Sequence, residues 1–215
     1  MKRAISFIVC LLAAPVSAHP HIFVDTGLDL KFDAQGRLTE VTVTWAYDDF
    51  YSLLITEDRG LDQDYDGEMT DAEIAQLTGF DMQWIEGFNG DLVIMAGGEE
   101  LALSGPQSPT ATYSAGRITT THVRQVLSPM QEAAALEVKP YDRTYYTAYD
   151  ISLPVRVVGY SICQHWLEVP DLDTALLGVQ DALLAMDTMA MTPDDALPDI
   201  GIGLASTVHV SCASS

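Results

Sequence analysis

The sequence predicts an α+β fold, mainly antiparallel β-sheet in a sandwich-like arrangement. A helix–calcium loop–helix insertion lies near the N-terminus and one further helix near the C-terminus. Three observations predict this. Helical spacing is concentrated before Asp91, short β-like runs separated by Gly and Pro fill the chain after it, and one amphipathic run from Asp171 interrupts the strands.

The first segment, residues 1–18, reads as a secretory signal peptide. Met1-Lys2-Arg3 gives a positive start, AISFIVCLLAA an apolar run too short to span a bilayer, and Val16-Ser17-Ala18 the small residues a signal peptidase reads. Residues 19–215 then form a single mature domain, with His19 at its N-terminus. No later stretch is long and apolar enough to span a membrane, so the mature chain is expected to be a periplasmic protein. Loss of Lys2 and Arg3 takes the net charge from −21 to −23. Such acidity excludes nucleic acid as a partner, because phosphate binding needs a basic footprint. With Cys10 removed, Cys163 and Cys212 remain, and an even pair in an oxidising compartment reads as a disulfide.

After His21 the chain reads as a hairpin. Val24, Leu28, Leu30 and Phe32 lie on one strand, Asp33-Ala34-Gln35-Gly36 makes the turn, and Val41, Val43 and Trp45 lie on the return. Asp48 to Arg59 is predicted helical, with Phe50, Leu53 and Leu54 at helical spacing and Asp48 or Asp49 as cap. A second helix opens at TDAEIAQLTGF, where Thr70 and Glu73 form a capping box. The helix–loop–helix spans 48–80.

Strands follow at Leu92–Met95, Glu100–Leu103, Ala111–Tyr113, Arg117–Val126, Ala135–Val138, Tyr145–Pro154 and Cys163–Val169. The tyrosine-rich run YDRTYYTAYD, Tyr141 to Asp150, offers a surface, although alternating tyrosines are more often sheet packing. Asp171 to Met186 is predicted helical, with Leu172, Ala175, Leu176, Val179 and Leu183 on one face. Thr192–Asp199 reads as a loop and Leu204–Cys212 as the last strand.

Between the first two helices, Asp62 to Glu73 reads DQDYDGEMTDAE, the spacing of an EF-hand loop. Calcium wants six to eight oxygens. Asp62, Asp64 and Asp66 offer carboxylates, Glu68 its backbone carbonyl, Thr70 a direct or water-mediated contact and Glu73 a bidentate clamp, while Gly67 permits the turn. A single loop in an exported chain meets calcium continuously. It is therefore expected to be a structural clip between helices rather than a sensor.

The mature N-terminus offers different chemistry. His19 carries an imidazole and a free α-amine, and His21 a second imidazole. Such nitrogen donors suit Ni²⁺, Co²⁺, Cu²⁺ and Zn²⁺. A further ligand could come from His122, His165, His209 or Asp25. The same histidines also read as a hydrophilic start to the first strand, and His122 as a packed strand residue.

HPHIFVD, VTVTWAYDDFYSLL, the acidic loop running into LTGFDMQWIEGF, PTATYSAGRITTTHVR, KPYDRTYYTAY, CQHWLEVPDLD and GIGLASTVHVSC occur in order along the mature chain. In these motifs the chain resembles an exported bacterial family classed as a domain of unknown function. That family is labelled "ABC-type uncharacterised transport system, periplasmic component". The resemblance implies a periplasmic protein linked with transition-metal transport beside an inner-membrane nickel/cobalt permease, with His19 and His21 as the terminal histidine pair. The chain is too short and too β-rich for a two-lobed solute receptor, so an accessory metal-binding or delivery protein fits better.

The enzyme motifs GxSxG, HExxH and GxGxxG are missing from the sequence, which favours a protein that is not an enzyme. Two other readings stay open. One is a calcium-stabilised envelope interaction module without a transition metal. The other is a copper-dependent redox enzyme built on the N-terminal histidine.

Overall fold

The computed structural model describes residues 20–127, 135–184 and 199–212. The signal-peptide reading, the N-terminal His19 and most of the Thr192–Asp199 loop lie outside the described residues.

The predicted hairpin forms as β1 (Ile22–Phe32) and β2 (Leu38–Tyr47). Its turn closes because the Asp33 carboxylate accepts from the amides of Gln35 and Arg37, both at 2.9 Å. The chain continues through α1 (Asp49–Arg59), α2 (Asp71–Leu77), β3 (Leu92–Ala96), β4 (Glu99–Glu100), β5 (Gln107–Ser114), β6 (Arg117–Gln125) and β7 (Leu136–Pro140). After these come β8 (Thr147–Asp150), β9 (Val155–Val158), β10 (Cys163–Glu168), α3 (Leu172–Leu184), a 3₁₀ turn (Gly201–Gly203) and β11 (Thr207–Cys212). The strands make two sheets. One runs β5-β6-β2-β1-β8, with β9 also on β1, and the other runs β10-β11-β7-β3-β4.

Both sheets are rich in antiparallel pairs, as expected, but one edge departs from that pattern. β8 and β9 pair with β1 in parallel, β8 beside its first half and β9 beside its second. The predicted strand Tyr145–Pro154 is shortened to β8, Thr147–Asp150, and β9 begins only after Pro154, which cannot donate to a ladder. Cys163 and Cys212 face each other across β10–β11 and form the expected disulfide, with Cα atoms 3.9 Å apart.

A shared core holds the sheets together. Val24, Leu28, Leu30, Val41, Val43 and Ile118 come from the first sheet, and Leu92, Ile94, Leu136, Val138, Val208 and Val210 from the second. Each is almost wholly removed from water, and truncating such a side chain to alanine costs about 2–5 kcal/mol.

Two helix faces differ from expectation. On α1 the apolar residues Phe50, Leu53 and Leu54 are exposed, and the buried positions are Ser52 and Thr56. The physical reason is a hydrogen bond: Ser52 Oγ accepts from the Ile118 amide of β6 at 3.0 Å, so the small polar stripe meets the sheet. On α3, Leu172 and Leu176 of the predicted apolar face are also exposed, while Ala175 and Val179 are partly covered. No helix among the described residues is long and apolar enough to cross a membrane.

Candidate functional site

The acidic loop lies between α1 and α2. Asp62 Oδ1 accepts from the amides of Asp66 (3.1 Å) and Gly67 (3.3 Å), which folds the loop back on its first residue. Gly67 sits at φ +78°, where a side chain would be strained. Asp62, Asp64 and Asp66 each bring a carboxylate oxygen within 4.8 Å of the other two. Among the described residues, this is the one group of three acidic, His or Cys side chains so close together.

Thr70 and Glu73 make the predicted capping box of α2. Glu73 Oε2 accepts from the Thr70 amide (2.8 Å) and hydroxyl (2.7 Å), and Oε1 accepts from the Asp62 amide at 2.9 Å. Those bonds hold its carboxyl below the ordinary range. The twelfth loop position therefore ties the first to the ninth. The Glu68 amide donates to the Asp66 carboxylate at 2.8 Å.

His21 stands at the entry to β1, its amide donating to the Tyr146 carbonyl at 2.8 Å and its ring 4.8 Å from that of Tyr146. It lines an open groove of about 600 Å³ with Phe23, Asp25, Asp48, Asp49, Phe50, Arg117 and Asp150. Strand alternation places His21, Phe23 and Asp25 on one face, and the parallel register sets Asp150 beside Asp25.

Asp48, Asp25 and Arg117 in this groove are held by structural bonds. Asp48 caps α1 through the Tyr51 amide (2.8 Å) and also accepts from the Phe23 amide (2.8 Å), fixing the helix to β1. Asp25 accepts from Ser152 Oγ at 2.6 Å and from Arg117 at 2.7 Å, and these bonds hold its carboxyl low. Arg117 also donates to the Tyr47 and Ala46 carbonyls and approaches Asp49 at 3.7 Å. One imidazole and four carboxylates thus face a single guanidinium. Arg117 and Asp150 were not singled out in the sequence as site residues; Asp150 reaches the groove through the parallel β1–β8 pairing and Arg117 through β6, which pairs with β2.

His122 is elsewhere. It lies on β6 opposite Val43, which lies opposite Leu28, seven residues along the chain from His21. The two histidines are roughly 25 Å apart on strand spacings. His122 is 1% exposed, with its ring 4.6 Å from that of Trp45 and 5.5 Å from that of Trp84. Neither ring nitrogen has a hydrogen-bond partner. Burial, with the nearby Arg124 guanidinium, pushes the imidazole down to about 3, so it is neutral at physiological pH. His165 and His209 lie on β10 and β11 of the other sheet, where His209 Nε2 is 2.7 Å from a Glu168 oxygen. The structure therefore does not bring His122 to His21.

The sequence profile of the family described as "Protein of unknown function (DUF1007)" matches residues 4–212. The chain belongs to that family. Both the acidic loop and the His21 groove fall inside the matched residues. No curated protein and no solved structure matches the chain.

Proposed function

We propose that this member of the family is an exported transition-metal-binding accessory protein, with calcium as a structural ion in the Asp62–Glu73 loop. It binds Ni²⁺, Co²⁺, Zn²⁺ or Cu²⁺ as cargo at the mature N-terminus and passes it to an inner-membrane permease, without turnover of its own. The observation that carries this reading is the His21 groove, where an imidazole shares one open face with Asp25 and Asp150. Imidazole with carboxylate suits those borderline divalent ions. His19, two residues earlier, would add its own ring and α-amine.

Calcium suits the acidic loop on its donor set. Asp62, Asp64 and Asp66 supply clustered hard oxygens, and Glu68, Thr70 and Glu73 occupy the remaining ligand positions. Bound there, the ion neutralises repelling carboxylates and ties α1 to α2.

Calorimetric titration of the processed chain tests the cargo site. One of the four transition metals binds at one equivalent, and His19→Ala or His21→Ala abolishes or sharply weakens that binding. An absence of binding by all four, or unchanged binding in both variants, overturns the reading. A second reading, a calcium-stabilised interaction module, is favoured by the exposed Phe23, Phe50, Leu53 and Leu54 at the groove mouth and beside it. That reading predicts intact partner capture in the histidine variants.

A further inference from the structure

Tyr141, Tyr145 and Tyr149 of the tyrosine-rich run, which the metal reading leaves unused, line a second cavity of about 240 Å³. Four rings line it, those of Phe23, Tyr141, Tyr145 and Tyr149, together with the carboxylates of Asp142 and Asp150. Among the described residues, no Lys, Arg or His lines it. In a chain of net charge −21, this is an aromatic chamber with negative charge at its wall.

The polar ends of two tyrosines are already engaged. Tyr141 donates its hydroxyl to Asp199 at 3.1 Å, and Tyr149 donates to Asp91 at 2.8 Å. What these residues offer a ligand is therefore ring surface, and donation to a carboxylate enriches the π system that a cation meets. Arg143 balances Asp199 at 3.2 Å. Asp91 is pushed up to about 7, chiefly by burial and also by the charge of Asp142.

The chamber is held in shape. Tyr145 stands at φ +58°, in the left-handed region that non-glycine residues avoid. Its amide donates to the Asp142 carbonyl at 3.0 Å, and the Asp142 carboxylate accepts from the amides of Thr144 (2.8 Å) and Thr147 (3.0 Å). Gly201 closes the far side, its amide donating to the Arg143 carbonyl at 3.1 Å, and a Cβ there would collide with the Asp142 carbonyl.

We propose that this cavity binds a small alkylammonium solute, with the four rings around the cationic head and Asp142 and Asp150 supplying the attractive field. Aromatic faces attract an ammonium head through their quadrupoles, and the apolar lining takes its methyl groups out of water. The inference does not rest on the metal reading. The two cavities share Phe23, Ala148 and Asp150, but Tyr145 lines only this one.

Choline is the probe, titrated into the full processed chain in low salt with calcium present and transition metals excluded. Saturable binding is expected, with the uncharged isostere 3,3-dimethylbutan-1-ol weaker by about tenfold or more. Tyr145→Phe is expected to keep binding and Tyr145→Leu to weaken it about tenfold. Leu172→Lys, which puts a cation at an exposed lining position, should weaken choline even if Tyr145→Leu does not fold. Sedimentation with phosphatidylcholine vesicles should be negligible. Equal affinity for the isostere, no saturable choline binding, unchanged affinity in both Tyr145→Leu and Leu172→Lys, or binding to vesicles alone would each overturn the proposal.

Discussion

Asp25 and Asp150 face each other across the parallel β1–β8 pair, and Arg117 and Ser152 both bond to Asp25. Two like charges in register destabilise a sheet unless a cation shares them. Arg117 supplies part of that compensation, and the proposed cargo ion supplies the rest. Asp150→Asn should therefore stabilise the metal-free protein by about 0.2–1 kcal/mol while weakening transition-metal binding about tenfold or more. Thermal melts and calorimetry on the same preparation measure both. A variant that changes neither would show that Asp150 is a bystander.

Chelating calcium should lower the melting temperature by about 2–4 °C in millimolar calcium buffers, given the modest affinities of extracellular sites. Asp62→Ala should melt like the chelated protein and should no longer respond to calcium. Identical melts with and without chelator would remove calcium from the account.

His122 gives stability a defined pH dependence. Its folded value of about 3 lies below the ordinary 6.5, so between these limits the unfolded chain binds the proton that the folded chain refuses. The contribution is complete above pH 6.5 and is lost as pH falls toward 3, amounting to roughly 4–5 kcal/mol. Denaturant melts across that range should show His122→Leu with a shallower acid loss than the natural protein.

Asp91 acts in the opposite sense. Its carboxyl is raised to about 7, so its share of stability is present below about pH 4 and is lost as pH rises through 7. Asp91 also sits at φ +50°, a conformation asparagine tolerates well. Asp91→Asn is expected to raise stability at pH 8 by about 1–3 kcal/mol and to be nearly neutral at pH 4. Equal effects at the two pH values would contradict this.

The face that α1 presents to the sheet can be read from two substitutions. Ser52→Ala should cost about 1–3 kcal/mol by leaving the Ile118 amide without its acceptor, whereas Leu53→Glu, on the exposed side, should stay within about 0.5 kcal/mol. The reverse order would mean that Leu53 and its neighbours are covered in solution.

Local chemistry explains which features were legible in the sequence. The hairpin was readable because β1 and β2 carry apolar residues at the spacing of a half-buried strand, and the acidic loop because each position has its own required residue type. The disulfide followed from two cysteines remaining in an exported chain. The α1 face was misread because apolar spacing shows where a helix has greasy residues. It cannot show that a serine hydroxyl will accept a strand amide. The groove was only half visible. His21 and Asp25 stood out, but Asp150 and Arg117 arrive through sheet pairings that no local pattern announces. His122 looked like a possible ligand because sequence alone does not reveal the two indoles around it.

The most direct test of the central claim is metal analysis of protein purified from its native compartment, with its N-terminus sequenced on the same sample. The account predicts a chain beginning at His19, carrying one equivalent of calcium and one of a transition metal, with only the latter lost in His21→Ala. A correctly processed chain without a transition metal, or one that keeps it in His21→Ala, would contradict the account.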